Sequence, residues 1–248
     1  MEIWAHRGAF DSIHVHPALE NTLPAFQLAA DKNAYGVELD IQLTKDGTIV
    51  VIHDETVDRT CDGNGHVKDF TLAEIKKLNA NKAGKFTEIP TLSEVFELLK
   101  HTPLKINVEF KTGIIPYEGI EEKALALAEK HGVLDKIVWS SFNHHSVQQI
   151  KMLDYRADTA LLCGGGILVT ALQCQNIGAS ALHANIRQLK SHPYIAGDCR
   201  KYKIALRLWT VDAPDDFARA IKNNVDGVFT NKIDVAVDML KVKHQGVS

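Results

Sequence analysis

No apolar run in this 248-residue chain approaches the ~20 residues that cross a bilayer as a helix, so stable membrane insertion is not expected. The four cysteines, Cys61, Cys163, Cys174 and Cys199, include no C-x-x-C pair, which leaves zinc-ribbon and dithiol redox chemistry without its residues. A chain of this length buries a core without disulfide staples, so reduced, scattered thiols are expected. The formal net charge is −3 and no block of like charge stands out, so neither a basic nucleic-acid surface nor a nucleic-acid partner is expected. No Gly-x-Gly-x-x-Gly follows a strand pattern, and dinucleotide binding gains no support. Internal repeats, low-complexity tracts and Pro/Gly-rich linkers are missing too. Residues 1–8 leave no room for a charged region, an apolar stretch and a cleavage site, because residues 2–5 already read as a strand. The cytoplasm is the expected location.

What the chain does contain is alternation. Short apolar runs at 2–5, 36–43, 48–53, 104–110, 137–141, 158–162, 180–183, 203–210 and 227–230 read as strands. Stretches at 25–32, 92–100, 120–131, 146–153, 167–176, 214–223 and 235–242 space their apolar residues at helical intervals. Thr22 is placed to cap the first helix, with Pro24 in its first turn. Repeated β-then-α order predicts a parallel sheet flanked by helices. One of the nine strand candidates is surplus to eight β/α units. Only Thr44-Lys45-Asp46-Gly47 separates 36–43 from 48–53, so these two should form a hairpin with Asp46-Gly47 at its turn. The expected fold is an α/β (β/α)8 TIM barrel with one extra hairpin strand, forming a single domain over residues 1–248. Residues 54–91 break the alternation and are expected as a small insertion at the barrel mouth.

Catalytic groups of such barrels gather at the carboxyl ends of the strands. His6 and Arg7 end the first strand, Glu38 and Asp40 lie on the second, and Glu109 with Lys111 ends the strand at 104–110. A carboxylate in an apolar strand costs several kcal/mol to bury unless it is paired or metal-bound. Glu38 and Asp40 are two apart and share a face. With Glu109 they form an all-oxygen set, which suits one divalent cation, Mg²⁺ or Ca²⁺, better than zinc. A salt-bridge network with Arg7 and Lys111 is the alternative reading. A two-residue turn at Asp46-Gly47 would place His53 opposite Asp40, on the same face. Two imidazoles can divide acid and base work near neutral pH, and the two cations match an anionic group. No Cys-His or Ser-His-Asp nucleophile and no Schiff-base lysine is evident, so the set points to phosphoryl-oxygen chemistry.

These residues resemble the glycerophosphodiester phosphodiesterase family. The resemblance runs in order through Ala5-His6-Arg7-Gly8, Glu20-Asn21-Thr22-Leu23-Pro24-Ala25-Phe26, Glu38-Leu39-Asp40-Ile41-Gln42-Leu43-Thr44-Lys45-Asp46-Gly47 and Val50-Val51-Ile52-His53-Asp54. It continues through Asp58-Arg59-Thr60, Ile89-Pro90-Thr91-Leu92, Asn107-Val108-Glu109-Phe110-Lys111, Ser140-Ser141-Phe142, Trp209-Thr210-Val211 and Asp226-Gly227-Val228-Phe229-Thr230. It implies a phosphatidylinositol-phospholipase-C-type barrel that hydrolyses a small-molecule glycerophosphodiester to glycerol 3-phosphate and an alcohol. Carried over, Glu38, Asp40 and Glu109 would hold the metal, His6 and His53 would be the acid–base pair, and Arg7 and Lys111 would bind phosphate; within the pair, His6 is taken as base and His53 as acid. Trp209 would line the glycerol pocket, and Glu20 would orient Arg7 or charge the start of the first helix. His183 matches a family position and would line the pocket or serve structure. The attacking oxygen would be the glycerol 2-hydroxyl or water. Two features depart from the pattern: the loop carrying Asp11, His14 and His16, and Asn231-Lys232-Ile233 where the family often has aspartate and proline. A lysophospholipase D and a non-catalytic phosphate-binding barrel are the competing readings; oligomeric state is left open.

Overall fold

The computed structural model describes residues 1–11, 19–82, 84–165 and 170–245. Among these are nine strands: β1 (Glu2–Ala5), β2 (Gly36–Leu43), β3 (Ile49–Val51), β4 (Lys105–Phe110), β5 (Ile137–Ser141), β6 (Asp158–Cys163), β7 (Ala181–Asn185), β8 (Ala205–Trp209) and β9 (Gly227–Thr230). The longer helices are α1 (Leu23–Asp31), α3 (Leu92–Leu99), α4 (Ile120–His131), α5 (His144–Leu153), α6 (Thr170–Ile177), α8 (Ile195–Lys201), α9 (Pro214–Lys222) and α10 (Ile233–Gln245). Two single-turn helices, α2 (Leu72–Ile75) and α7 (Gln188–Ser191), complete the α-helices among the described residues, and 3-10 turns lie at Val67–Asp69 and Leu134–Lys136. Eight strands pair in parallel in the order β1-β2-β4-β5-β6-β7-β8-β9 and close back on β1, which makes a TIM barrel. The extra strand is β3. It pairs antiparallel with the end of β2, beyond Val37 where pairing to β1 stops.

β2 shows how sequence positions the site. Val37, Leu39, Ile41 and Leu43 join the core between sheet and helices. Glu38, Asp40 and Gln42 alternate with them and are turned the other way, yet all three are buried. Polar residues therefore face the barrel interior, the reverse of a half-solvated strand. Below them, toward the strand starts, a plug of Trp4, Val138, Ala160, Ala181 and Phe229 fills the barrel. Arg207 closes that end, donating to Glu2 at 2.6 Å, while Trp4 Nε1 donates to the same carboxylate at 2.9 Å.

Local signals behave as their chemistry dictates, with exceptions. Thr91 and Glu94 form a capping box at the start of α3. Gly132 ends α4 at φ +67°. Thr22 occupies the N-cap position of α1, but its hydroxyl donates back to the Leu19 carbonyl at 2.6 Å and does not cap the helix. The run at 188–201 holds two short helices that its periodicity does not announce.

The hairpin register differs from the expected one. Ile41 faces Val51, Gln42 faces Val50 and Leu43 faces Ile49, so Asp40 lies opposite Ile52, whose N–H donates to the Asp40 carbonyl at 3.0 Å. His53 is not the partner of Asp40. The reason is a turn one residue longer than expected: Lys45, Asp46 and Gly47 separate Thr44 from Thr48, with Gly47 at φ +75°. Residues 54–91 build a cluster of their own against β3, in which Val57, Val67 and Ile75 are fully buried beside Val50 and Ile52.

Gly36 sits where the barrel wall meets Trp4. A Cβ there would lie 2.6 Å from the Trp4 ring and 2.7 Å from the Lys105 carbonyl oxygen. Both are immobile, so Gly36→Ala is expected to cost about 1–3 kcal/mol of stability. The midpoint of urea unfolding measures it; an unchanged midpoint would show slack in the barrel wall.

Candidate active site

β1 ends in a sharp bend. Arg7 adopts φ +56° and Gly8 φ +83°, and a Cβ on Gly8 would sit 2.7 Å from the Ala25 Cβ, so only glycine lets α1 pack this close. The bend aims the Arg7 backbone N–H at Glu38 Oε2, 2.8 Å away. The Arg7 guanidinium donates to Glu20 at 3.0 Å and stands 3.6 Å from Asp40 Oδ2. Glu20 thus orients Arg7.

Glu38, Asp40 and Glu109 converge because β2 and β4 run in parallel with Asp40 beside Glu109. One oxygen from each lies within 4.8 Å of the others, and all three residues are buried. Lys111 Nζ stands 3.1 Å from Glu109 and 3.8 Å from Asp40, and Asn21 Nδ2 donates to Asp40 at 2.9 Å. Asp40 Oδ1 is buried and accepts no hydrogen bond. Oxygens around one cation with bonds of about 2.0–2.6 Å lie some ~3–5 Å apart, so the spacing and the unmet oxygen both fit a divalent ion. Burial, then the charges of Asp40 and Glu109, push Glu38 well above the usual carboxylate range. Burial and then Asp40 push Glu109 up to about 7, against the pull of Lys111. Burial would raise Asp40 as well, but Lys111, His53 and Arg7 outweigh it and hold Asp40 low.

His53 reaches this group from the chain leaving β3. Gln42 secures that exit: its buried amide donates to the carbonyls of Ile52, His53 and Asp54 at 3.0, 3.1 and 2.6 Å, while Tyr117 Oη donates to Gln42 Oε1 at 2.8 Å. His53 Nδ1 meets Asp54 Oδ1 at 2.6 Å and Nε2 faces Lys111 Nζ at 3.3 Å. Arg59 grips Asp54 through Nε at 2.6 Å and Glu20 through both terminal nitrogens at 2.9 and 2.7 Å. An unbroken chain of opposite charges therefore runs Asp40–Arg7–Glu20–Arg59–Asp54, and the His53 ring hangs on its end through Asp54. On the far side, His6 Nδ1 lies 2.8 Å from Asn231 Oδ1. Burial, then Arg7, holds the His6 imidazole below its ordinary pKa.

A cavity of about 100 Å³ joins these residues to an aromatic wall of Phe142, Trp209 and Phe229. The Trp209 indole N–H is tied to the His183 carbonyl at 3.0 Å, and Phe142 packs edge-on against its ring. His183 also lines the cavity; it is fully buried, and burial holds its pKa well below the ordinary value. A wider cleft of about 470 Å³ opens on the other side of His53, between Leu19–Thr22 and the 54–91 segment. His6, Arg7, Glu38, Asp40, His53, Glu109, Lys111 and Trp209 all gather at this end of the barrel. His14 and His16 lie outside the described residues; Asp11 pairs with Lys232. Sequence reasoning assigned no role to Asn21, Gln42, Asp54, Arg59, Asp212 or Asn231. Asn21, Gln42, Asp54 and Arg59 fall within matched motifs; Gln42 continues the alternation of Glu38 and Asp40 on β2, whereas Asn21, Asp54 and Arg59 are loop residues with no periodicity to single them out.

The model of the glycerophosphoryl diester phosphodiesterase family matches residues 6–235 of the chain. A glycerophosphodiester phosphodiesterase of Caldanaerobacter subterraneus subsp. tengcongensis is 42% identical over 241 residues, 96% of each chain. A glycerophosphodiester phosphodiesterase structure from Parabacteroides distasonis superposes with a TM-score of 0.88 at 23% identity, covering 98% of both chains. A phosphodiesterase from Oleispira antarctica, solved in complex with the product sn-glycerol-3-phosphate, superposes with a TM-score of 0.78 at 25% identity over 96% of this chain and 97% of its own.

The raised carboxyls make cation binding and protonation compete. Between the ordinary value of 4.5 and about 7, native Glu109 keeps a proton that the unfolded chain has released. Metal-free stability should therefore fall as pH rises through that window. A bound cation displaces the proton. Calorimetric titration with Mg²⁺ or Ca²⁺ at about pH 6.5, in buffers of different ionisation enthalpy, should show proton release. Equal heats in all buffers would contradict a shared-carboxylate site.

Proposed function

The chain belongs to the glycerophosphoryl diester phosphodiesterase family, and we propose that it hydrolyses glycerophosphodiesters to glycerol 3-phosphate and an alcohol such as choline or ethanolamine. The observation that carries this reading is the convergence, at one end of the barrel, of three buried carboxylates, two cationic side chains and two oriented imidazoles. The sn-glycerol-3-phosphate held by the Oleispira antarctica relative supports the product assignment.

Glu38, Asp40 and Glu109 would hold the ion, and their all-oxygen donor set favours Mg²⁺ or Ca²⁺. When bound, such a cation supplies Lewis-acid charge for a phosphoryl oxygen. Arg7 and Lys111 neutralise the rest of the phosphodiester, and the Arg7 fork is kept in place by Glu20. His6, held neutral by burial and Arg7, takes the proton of the attacking oxygen. His53 faces the leaving alcohol with Nε2, which here accepts from Lys111 Nζ; in its protonated form the ring gives the proton from that nitrogen, because Asp54 occupies Nδ1. Trp209, locked by its indole N–H, walls the glycerol side. The cleft beside His53 gives the departing alcohol its exit.

An acyl-bearing substrate would need an apolar open mouth. Most apolar residues of the 54–91 segment are spent on their own cluster, with Phe86 the large one left exposed among the described residues, which supports a water-soluble diester over a lysophospholipid. No residue of the catalytic set is missing, which disfavours a non-catalytic barrel. The four cysteines are buried free thiols, which supports a reducing, cytoplasmic setting.

Glycerophosphocholine, glycerophosphoethanolamine and lysophospholipids, assayed with Mg²⁺, Ca²⁺ and chelator, test the reading. The water-soluble diesters should turn over and chelation should abolish the activity; activity surviving complete chelation would contradict the metal role. His53→Ala should lower kcat by about 10²–10⁴-fold. Near-normal turnover in that variant would remove His53 from the chemistry.

A further inference from the structure

The His6 ring is held from behind by two residues to which no motif gives a task. Asn231 follows β9 and presents its Oδ1 to His6 Nδ1 at 2.8 Å. The orientation of that amide is not free. Asn231 Nδ2 donates to Asp212 Oδ2 at 2.8 Å and Asn231 N donates to Asp212 Oδ1 at 2.8 Å. Thr230 Oγ1 adds a bond to Asp212 Oδ1 at 3.0 Å. An ionised carboxylate only accepts, so the amide nitrogen must face Asp212 and the amide oxygen must face His6. That oxygen only accepts as well. The proton of neutral His6 therefore sits on Nδ1, and Nε2 keeps a lone pair.

We infer that Asp212 and Asn231 are positioning residues that fix the tautomer of His6 and leave Nε2 as its unprotonated nitrogen. The inference rests on the reading of His6 as general base. It differs from the arrangement at His53, where a carboxylate touches the ring directly. At His6 the charge is one group removed: Asp212 acts on the ring only through the polarity of an amide. This also gives the Asn231 departure from the family pattern a physical meaning. A neutral side chain serves beside His6 because a carboxylate behind it sets which end of the amide the ring meets.

Asp212→Asn keeps the shape and breaks the logic. Its new Nδ2 would face Asn231 Nδ2, donor against donor. Asn231 relieves this by flipping, which turns its own Nδ2 toward His6 and moves the ring proton to Nε2. A base with the wrong tautomer cannot take a proton, and comparable substitutions cost up to about 10⁴-fold in kcat. The double variant Asp212→Asn/Asn231→Asp restores an acceptor opposite His6 Nδ1 and a donor between the two side chains.

Two readouts test this. Long-range ¹⁵N–¹H spectra of the imidazoles, with His6 identified by comparison with His6→Gln, should show Nδ1 protonated in the parent and Nε2 protonated in Asp212→Asn. Kinetics with glycerophosphocholine and Mg²⁺ should show kcat down by about 10²–10⁴-fold in Asp212→Asn with KM little changed, and recovery to within about tenfold in the double variant. Thermal melts establish that each variant is folded. A parent His6 protonated on Nε2 overturns the inference without any variant. So does an Asp212→Asn enzyme with parental kcat, or a folded double variant as slow as the single one. If the parent hydrolyses no glycerophosphodiester, the functional reading fails, while the spectra still decide the tautomer.

Discussion

Three carboxylates share one buried space in this barrel, and their mutual repulsion is the constraint around which the rest is arranged. Glu38 and Asp40 come from one strand and Glu109 from its parallel neighbour, so the hydrogen-bond register itself forces them together. Charges of one sign in a low-dielectric interior destabilise the fold unless something offsets them. Arg7 and Lys111 flank the group without saturating it, which leaves Asp40 Oδ1 unmet and two carboxyls raised. The protein keeps a local instability that a bound cation would relieve, and the unmet Asp40 oxygen marks where it would bind.

The histidines are held in a different way from the carboxylates. Each ring has its Nδ1 occupied by a residue outside the cavity and its Nε2 left free of protein acceptors. The holders differ in charge. His53 leans on Asp54, which is itself gripped by Arg59 and through it by Glu20. His6 leans on a neutral amide with Asp212 behind it. Two imidazoles of equal intrinsic acidity are thereby given unequal surroundings, which is what a division into base and acid requires.

The 54–91 segment has a clear mechanical part in this. Its own cluster anchors it to β3, and it delivers Arg59 to the loop that carries Glu20. Gln42, buried at the end of β2, holds three successive carbonyls at 52–54 and so fixes where the segment departs. Across the cavity, an aromatic wall faces the charged one. A phosphodiester with a glycerol arm has the same two-sided character, anionic at phosphorus and weakly polar along the carbon chain.

The barrel was legible because strand and helix periods differ and alternate through the whole chain, and closure followed from counting them. The carboxylate set was legible because acidic residues at every second position of an apolar strand have few structural uses. The order of motifs along the chain identified the family, and with it His6, Arg7, Lys111 and Trp209. The hairpin register was misread by one residue, since Asp46-Gly47 serves a two-residue and a three-residue turn equally well; the Thr44 and Thr48 pairing decided between them. The helices at 188–201 are too short to show a period. Most hidden were the holders of the histidines. Asn231 and Asp212 lie more than two hundred residues from His6, and no local spacing relates them. Sequence alone determined the fold class and which chemical groups were present, because both rest on patterns within single elements. Only the tertiary structure decided which way each group is turned, because hydrogen-bond direction depends on partners brought together by barrel closure.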